Sequence, residues 1–390
     1  MGQLALLQVV EHGPLPSSVT VSDRDFTFRD HLWEGAVVRI HVIDGANGFV
    51  ASHLIGTLLA QGDEVIALAR ASAEVVRRRV ADALGCLGLD ESPAGRLRVR
   101  GLALDEPDLG LPFAEVFAEP CTYWHVAALV TFFPRREEEL LDVNVTGSAN
   151  TLSAYERHAR PGSRYILVGT AYQCGLDTEG PVPEDWPSHD PPDRFRNFYE
   201  YSKRQAEIAL ARSRSVREGT ALVARLGVMV GHSRTGRALT DYGLYDFLRV
   251  ISFFARRTPG ERVRIPCHPD ANLHLTPVDT TVSRLVSLAA ADRVRPVSHV
   301  VNGATVPVRD LFDVINAHLP IELVPATLEE IRDRPFSRFE AVVNMRAKYT
   351  AVYFRHHYEF AWRDATAPPA VTRSTLDRLI SWYVREGLPE

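Results

Sequence analysis

Lysine is almost missing from this 390-residue chain: of 44 basic residues only Lys203 and Lys348 are lysines, and the rest are arginine. A lysine kept in such a composition marks a place where a guanidinium does not replace an ammonium. Cysteine is scarce as well. Cys86, Cys121, Cys174 and Cys267 lie far apart and form no CxxC pair, which argues against a disulfide framework or a zinc site and makes a reducing cytoplasm the expected compartment. No apolar run approaches the roughly 20 residues that cross a bilayer. The opening MGQLALLQVVEHGPLP lacks the basic start and small-residue cleavage site of a signal peptide. There is no basic excess either: the formal net charge is −5, so no electrostatic footprint points to DNA or RNA. With 45% hydrophobic and 24% charged residues, the composition fits a globular protein with a sizeable core and not a disordered, collagenous or coiled-coil chain.

Residues 1–36, with Pro14 and Pro16, read as an N-terminal extension carrying at most a hairpin. A β-branched run, Val37 to Ile43, then has the pattern of a buried parallel strand. Gly45 and Gly48 follow, and a helical pattern runs from Phe49 to Gln61. The alternation continues with a strand at 64–69, a helix at 73–87, strands at 97–104 and 123–128, and one long helix at 137–158. Beyond these come a strand at 165–169, a helix at 199–213 and a strand at 221–226. Strands alternating with helices imply βαβ units and right-handed crossovers. The expected fold is α/β, a Rossmann-type doubly wound parallel sheet over 37–230, with a smaller mixed α/β substrate lobe over 231–390. Some elements of that lobe return to the core, and its last helix is expected at 375–386. Pro259, Pro266, Pro269 and Pro277 loosen the rhythm there.

The segment Asp44-Gly45-Ala46-Asn47-Gly48-Phe49-Val50-Ala51 joins the first strand to the first helix. A tight turn needs a residue that tolerates positive φ, and a pyrophosphate needs a backbone without side chains and free N–H groups at a helix start. Gly45, Asn47, Gly48, Phe49 and Val50 are therefore the expected phosphate contacts, with small Ala51 allowing helix–strand packing. An NAD site places a carboxylate at the tip of the second strand. Here the strand ends Ala67-Leu68-Ala69-Arg70. Arg70 suits a 2′-phosphate, so NADP(H) is the expected cofactor; the alternative is a solvated arginine in an arginine-rich chain.

Tyr199-Glu200-Tyr201-Ser202-Lys203 opens a helix, and positions i and i+4 share one face. A phenol titrates near 10, so an ammonium beside it is expected to lower that value and let it exchange protons. One of only two lysines stands at that spacing. A hydroxyl that orients the reacting oxygen is expected at the end of the 165–169 strand. Thr170 is the first candidate and Tyr172 the second.

These residues are similar to the extended short-chain dehydrogenases/reductases (SDRs). The motifs occur in that family's order: DGANGFVASHL at 44–54, HVAAL at 125–129, NVTG at 144–147, GTAY at 169–172, YEYSK at 199–203 and PVD at 277–279. Arg70, LDEPDLGLP at 104–112, FFPRREEELLDVNVTG at 132–147 and GHSRTG at 231–236 resemble the branch of thioester reductase domains and fatty acyl-CoA reductases. The likeness spans about 37–365. It implies that Tyr199 exchanges the proton, Lys203 grips the nicotinamide ribose, Thr170 positions the oxygen, and Ala127 and His125 border the cofactor. It also implies NADPH-dependent reduction of an acyl thioester, delivered by coenzyme A or an acyl carrier protein. Several positions depart from the pattern. Asp44 stands where Thr is usual, which puts a carboxylate near a pyrophosphate unless it is turned away or paired. Ala51 replaces a Gly, Leu102 an Asp, Gly169 a Ser and Leu226 a Pro.

Rival readings are a ketoreductase of a polyketide- or steroid-like ketone, a sugar-nucleotide epimerase or dehydratase, and a nucleotide-binding protein without turnover. A homodimer is left open. No metal is expected, and no GxSxG elbow supplies a hydrolase nucleophile. His356-His357 read as core or surface and Asp279 as structural, Asp270 and His274 fall in the substrate lobe with no role assigned, and Phe132-Phe133 read as core or as the lining of an acyl channel.

Overall fold

The computed structural model describes residues 38–88, 94–176, 180–292, 295–362 and 370–387; the expected N-terminal extension lies outside them. Seven segments pair into one sheet: β1 (Ile40–Ile43), β2 (Glu64–Ala69), β3 (Leu97–Gly101), β4 (Cys121–His125), β5 (Arg164–Thr170), β6 (Ala221–Leu226) and β7 (Val297–Val300). Their order is β7-β6-β5-β4-β1-β2-β3 and every pair is parallel. The chain leaves β1 toward β2 on one side and returns to β4 on the other, which makes the β1/β4 boundary the switch point where such sheets bind ligands.

The crossovers are α1 (Phe49–Ala60), α2 (Ala73–Cys86), α3 (Gly147–His158) and α4 (Phe198–Ala211). Side chains alternate along each strand and fill two cores. Ile43, Val65, Ala67, Ile166 and Ala224 pack under α1 and α2. Val42, Ile66, Tyr123, Tyr165 and Val223 pack under α3 and α4. All six residues of β6 are buried, as a strand covered on both faces requires.

The remaining long helices are α5 (Leu244–Arg257), α6 (Val278–Ala290), α7 (Val308–His318), α8 (Arg338–Ala351) and α9 (Arg373–Trp382). The α6 helix leads into β7 and packs with α1, so this part of the chain belongs to the sheet. The others enclose a third core in which Phe354 meets Phe247 and Phe312 edge-on, at 5.0 and 5.5 Å between ring centroids.

The single long helix expected over 137–158 is interrupted. A helical stretch, Glu137–Leu141, passes into a π-helical turn, Asp142–Thr146, before α3 begins. The wider turn accommodates one extra residue and carries Asn144 into the interior. Its side chain there accepts from Leu129 N (2.8 Å) and donates to Leu129 O (3.0 Å) and Ser202 Oγ (2.9 Å). The last helix likewise ends earlier than expected, at Trp382, and gives way to a π-helical turn over Tyr383–Gly387.

Arg225 of β6 is fully buried. Its Nε donates to both oxygens of Glu207 at 3.0 and 3.1 Å, and its other nitrogens reach Pro183 O (3.2 Å) and Asp185 O (2.6 Å). Arg225→Met should strand the Glu207 charge and destabilise the protein by about 3–5 kcal/mol, measured as a lower urea midpoint at unchanged slope.

Candidate active site

The turn after β1 is shaped by one close approach. Gly45 has φ +62°, and a Cβ on it would lie 2.7 Å from Ala127 Cα. No other residue type tolerates both the left-handed backbone and that contact. Gly48 caps α1 without a side-chain bond, and no acid sits in the first turn. The N–H groups of Phe49, Val50 and Ala51 have no acceptor among the described residues. Asn47 and Gly48 are exposed at the tip of the turn. The result is an anion cradle of backbone N–H groups at a helix N-terminus, and it fits a pyrophosphate.

Asp44 does not face that cradle. It is fully buried, and its carboxylate points beneath the turn. Oδ1 accepts from Val126 N and Ala127 N, both at 2.7 Å. Oδ2 takes the Tyr123 hydroxyl at 3.2 Å and meets His125 Nδ1 at 2.5 Å. The aspartate is thus both turned away and paired. It holds the backbone of Ala127 against Gly45, and His125 is a scaffold residue under the cleft. His125 Nε2 continues to Ser148 Oγ at 2.8 Å, and that hydroxyl reaches Asn144 O at 2.6 Å.

The first turn of α4 is fixed from three directions. Asn197 caps it, its side chain accepting from Glu200 N at 3.1 Å. Ser202 Oγ takes the Asn144 amide and donates to Tyr199 O at 2.8 Å. Arg196 and Glu200 form a fully buried i,i+4 pair at 2.8 Å. The guanidinium lies 4.7–5.3 Å from the ring centroids of Tyr172, Tyr353 and Tyr358, donates to Tyr172 O at 3.0 Å and also bonds the Tyr358 hydroxyl. The Tyr353 hydroxyl donates to Glu200 at 2.6 Å. This cage joins the first turn of α4 to the segment that follows α8.

Tyr199 stands on that turn, partly buried, with its ring 6.0 Å from Phe132 and its hydroxyl without a protein partner among the described residues. Lys203 is buried one turn on, and its Nζ donates to Val168 O of β5 at 2.8 Å. The ammonium is therefore held at the sheet edge and makes no bond to the phenol. Burial pushes the Lys203 amine down to about 8, against the upward pull of Asp44 and Glu207. The Tyr199 phenol is pushed up from its ordinary value by burial and by the Glu200 charge. The expected lowering by Lys203 does not appear: the phenol shifts upward, and the ammonium bonds Val168 O.

Thr170 ends β5. Its hydroxyl accepts from Tyr172 N at 3.3 Å and reaches Leu226 O at 3.4 Å. Tyr172 points elsewhere: its hydroxyl accepts from His274 N at 3.2 Å in the interior, and burial pushes the phenol up to about 12. Arg70 is exposed at the tip of β2 with no hydrogen-bond or ion-pair partner among the described residues. Leu102 is buried in the core beneath α3. His274 and Asp279 are structural: His274 Nε2 lies 3.0 Å from Tyr358 O, and Asp279 takes Ser233 N and Oγ at 2.9 and 2.6 Å. His357 is exposed, with Nδ1 2.8 Å from Asp270 O. Among the described residues no cluster of three metal-ligating side chains occurs, and no helix is long and apolar enough to cross a membrane.

Sequence reasoning missed the Arg196–Glu200 cage and the Asn144–Ser202 link. The i,i+4 spacing of Arg196 and Glu200 was a readable signal; the three tyrosines around them were not.

The parallel sheet, the glycine turn at its switch point and the tyrosine–lysine helix define an NAD(P)-dependent oxidoreductase of the extended SDR type. Residues 43–285 match the family described as male sterility protein, and the chain belongs to that family. It is 27% identical over 299 residues to dTDP-6-deoxy-L-talose 4-dehydrogenase (NAD(P)(+)) of Kitasatospora kifunensis, covering 75% of this chain and 83% of that protein. Its fold is similar to the terminal R domain from the myxalamid PKS-NRPS biosynthetic pathway, at TM-score 0.72 and 24% identity over 91% of this chain and 93% of the other. It is also similar to a thiolation-reductase di-domain from an archaeal non-ribosomal peptide synthetase, at TM-score 0.69 and 17% identity over 90% and 76% of the two chains.

Gly45→Ala should abolish binding of the dinucleotide, followed by quenching of protein fluorescence. Gly88→Ala is the control: it shares the positive φ (+73°), but a Cβ there meets nothing within 4 Å.

Proposed function

We propose that this enzyme uses NADPH to reduce the carbonyl of an acyl thioester, presented by a carrier protein or coenzyme A, to an aldehyde that it can reduce again to the alcohol. Gly45, Asn47, Gly48, Phe49, Val50, Arg70, Ala127 and Lys203 hold the cofactor, which supplies hydride to the carbonyl carbon when bound. Tyr199 gives a proton to the carbonyl oxygen and Thr170 orients it. The thiol then leaves from the hemithioacetal carbon as the aldehyde forms.

The observation that carries this reading is the wall beside Tyr199. Phe132 touches both Tyr199 and Tyr353, at 6.0 and 5.8 Å between ring centroids, and the next residue, exposed Phe133, packs on Tyr349 at 4.9 Å. That aromatic path, from the protein surface to the phenol, suits an acyl chain. The exposed positions of α8, the helix whose Tyr349 packs on Phe133, include Arg338, Arg346 and Lys348 and no carboxylate, which suits an acidic carrier. The likeness to a thiolation-reductase di-domain and to the R domain supports a thioester over a free ketone.

A second reading, oxidoreduction at a sugar nucleotide, is favoured by the likeness to the talose dehydrogenase. The two part at the bench. Decanoyl-CoA should drive NADPH oxidation with release of free thiol and a trappable aldehyde; turnover of a dTDP-4-keto-6-deoxysugar without thioester turnover would favour the second reading instead.

Tyr199→Phe should retain NADPH affinity and lose about 10²–10⁴-fold in kcat, measured by steady-state kinetics beside a binding titration. Arg70→Ala should weaken NADPH by about 10- to 100-fold, the worth of a hydrogen bond to a charged group, and leave NADH binding unchanged.

A further inference from the structure

Tyr199 is the second residue of α4, and groups on both sides of it in the chain close the turn that presents it. Asn197 is the N-cap, its side chain accepting from Glu200 N at 3.1 Å. Glu200, the third residue of the helix, is buried with its carboxylate on Arg196 at 2.8 Å. One hydroxyl joins the cap to the carboxylate. Tyr353 Oη accepts from Asn197 Nδ2 at 3.0 Å and donates to Glu200 at 2.6 Å. A phenol has a single proton to donate and lone pairs that accept. Here the proton and a lone pair are both engaged by the two residues that bracket Tyr199.

The ring of Tyr353 reaches Tyr199 by a second route. It lies 5.8 Å from Phe132, whose ring is in turn 6.0 Å from that of Tyr199. It also meets Tyr172 edge-on at 5.4 Å and the Arg196 guanidinium at 4.9 Å. The backbone and the ring of Tyr199 are thus both referred to one side chain more than 150 residues further on. The neighbouring residue makes that side chain a firm reference. Tyr353 and Phe354 share the short helical turn Val352–Arg355 directly after α8, and Phe354 is buried against Phe247 and Phe312 in the third core.

A phenylalanine at 353 would supply the ring contacts alone. The hydroxyl is not what balances Glu200, which has Arg196, and it is not what caps α4, which has Asn197. It adds a tie between the third core and the first turn of α4. We propose that Tyr353 is a positioning residue for Tyr199, fixing the turn that carries the phenol by bridging Asn197 and Glu200 from the far end of the chain. This role rests on Tyr199 as the group that exchanges the proton, and not on the thioester reading.

Tyr353→Phe tests it with the loss of one oxygen. Glu200 keeps Arg196 and the partly exposed Asn197 amide can turn to water, so the fold should survive. With decanoyl-CoA and NADPH, kcat should fall by about 10- to 100-fold, the effect of a small misplacement of a reacting group, while the KM of the thioester and the Kd of NADPH stay unchanged. In a Tyr199→Phe background the same substitution should have no further effect, because residues that act as a unit are not additive. A merely structural hydroxyl would lower both enzymes by the same factor. Asn197→Ser keeps a capping oxygen and removes the amide that reaches Tyr353; its loss of kcat should likewise vanish in the Tyr199→Phe background. Equal factors in the two backgrounds, or a kcat that Tyr353→Phe leaves intact, overturn the proposal. Full turnover by Tyr199→Phe alone would overturn the role of Tyr199 and this one with it. If only the dTDP-4-keto-6-deoxysugar is turned over, the thioester reading fails and the same cycle on that substrate still decides the role of Tyr353. A measurement without substrate stands beside these: amide hydrogen exchange at Glu200, followed by NMR, should quicken in Tyr353→Phe while α1 is unaffected. Unchanged exchange at Glu200 overturns the proposal whatever the substrate.

Discussion

A single carboxylate under the glycine turn sets the geometry of the cofactor seat. Asp44 ties the backbone at Val126 and Ala127 to the end of β1, and that tie brings Ala127 so near Gly45 that the turn tolerates no Cβ. The loops after β1 and β4 border the switch point of the sheet, and their spacing fixes the width of the crevice between them. The bare start of α1 can face a phosphate because its neighbouring loop is held back from below. The aspartate that looked hostile to an anion serves the anion site from its far side.

The helix that carries Tyr199 and Lys203 is held by different means. Its first turn lies between a hydrogen-bonded floor, Asn144 and Ser202, and a cationic side wall in which Arg196 is ringed by three tyrosines. Each cation–π contact of a desolvated guanidinium contributes up to about 2 kcal/mol, and the ion pair with Glu200 satisfies what the rings cannot. Tyr199 is left with a fixed backbone and a free hydroxyl. Tyr353 takes part in two contacts: its hydroxyl holds Glu200, and its ring meets Phe132.

Much of the sheet was legible in the sequence because local pattern dictates it. The local pattern gives the spans of β2 and β6 to the residue, and those of α1 and α2 to within one residue. The glycine turn was legible for the same reason, since positive φ and a helix start leave a mark in adjacent residues. The π-helical turn was invisible, because one extra residue barely disturbs a helical period of 3.6. The orientation of Asp44 was undetermined, since its partners lie about 80 residues away on another strand. The same holds for Lys203: spacing put it on the face of Tyr199, but a carbonyl on β5 decides where its amine points. Side-chain direction at such sites comes from long-range pairing that no local pattern encodes.

The tyrosine ring around Arg196 has a bearing on how this enzyme can be inherited or rebuilt. Its parts come from the end of β5, the approach to α4 and a segment more than 150 residues further on. A hybrid that joins the front half of this chain to the back half of a cousin would inherit the guanidinium without its aromatic collar. The lobe carrying Tyr353 and Tyr358 is thus no interchangeable cartridge: swapping it also requires matching the two residues at 196 and 200.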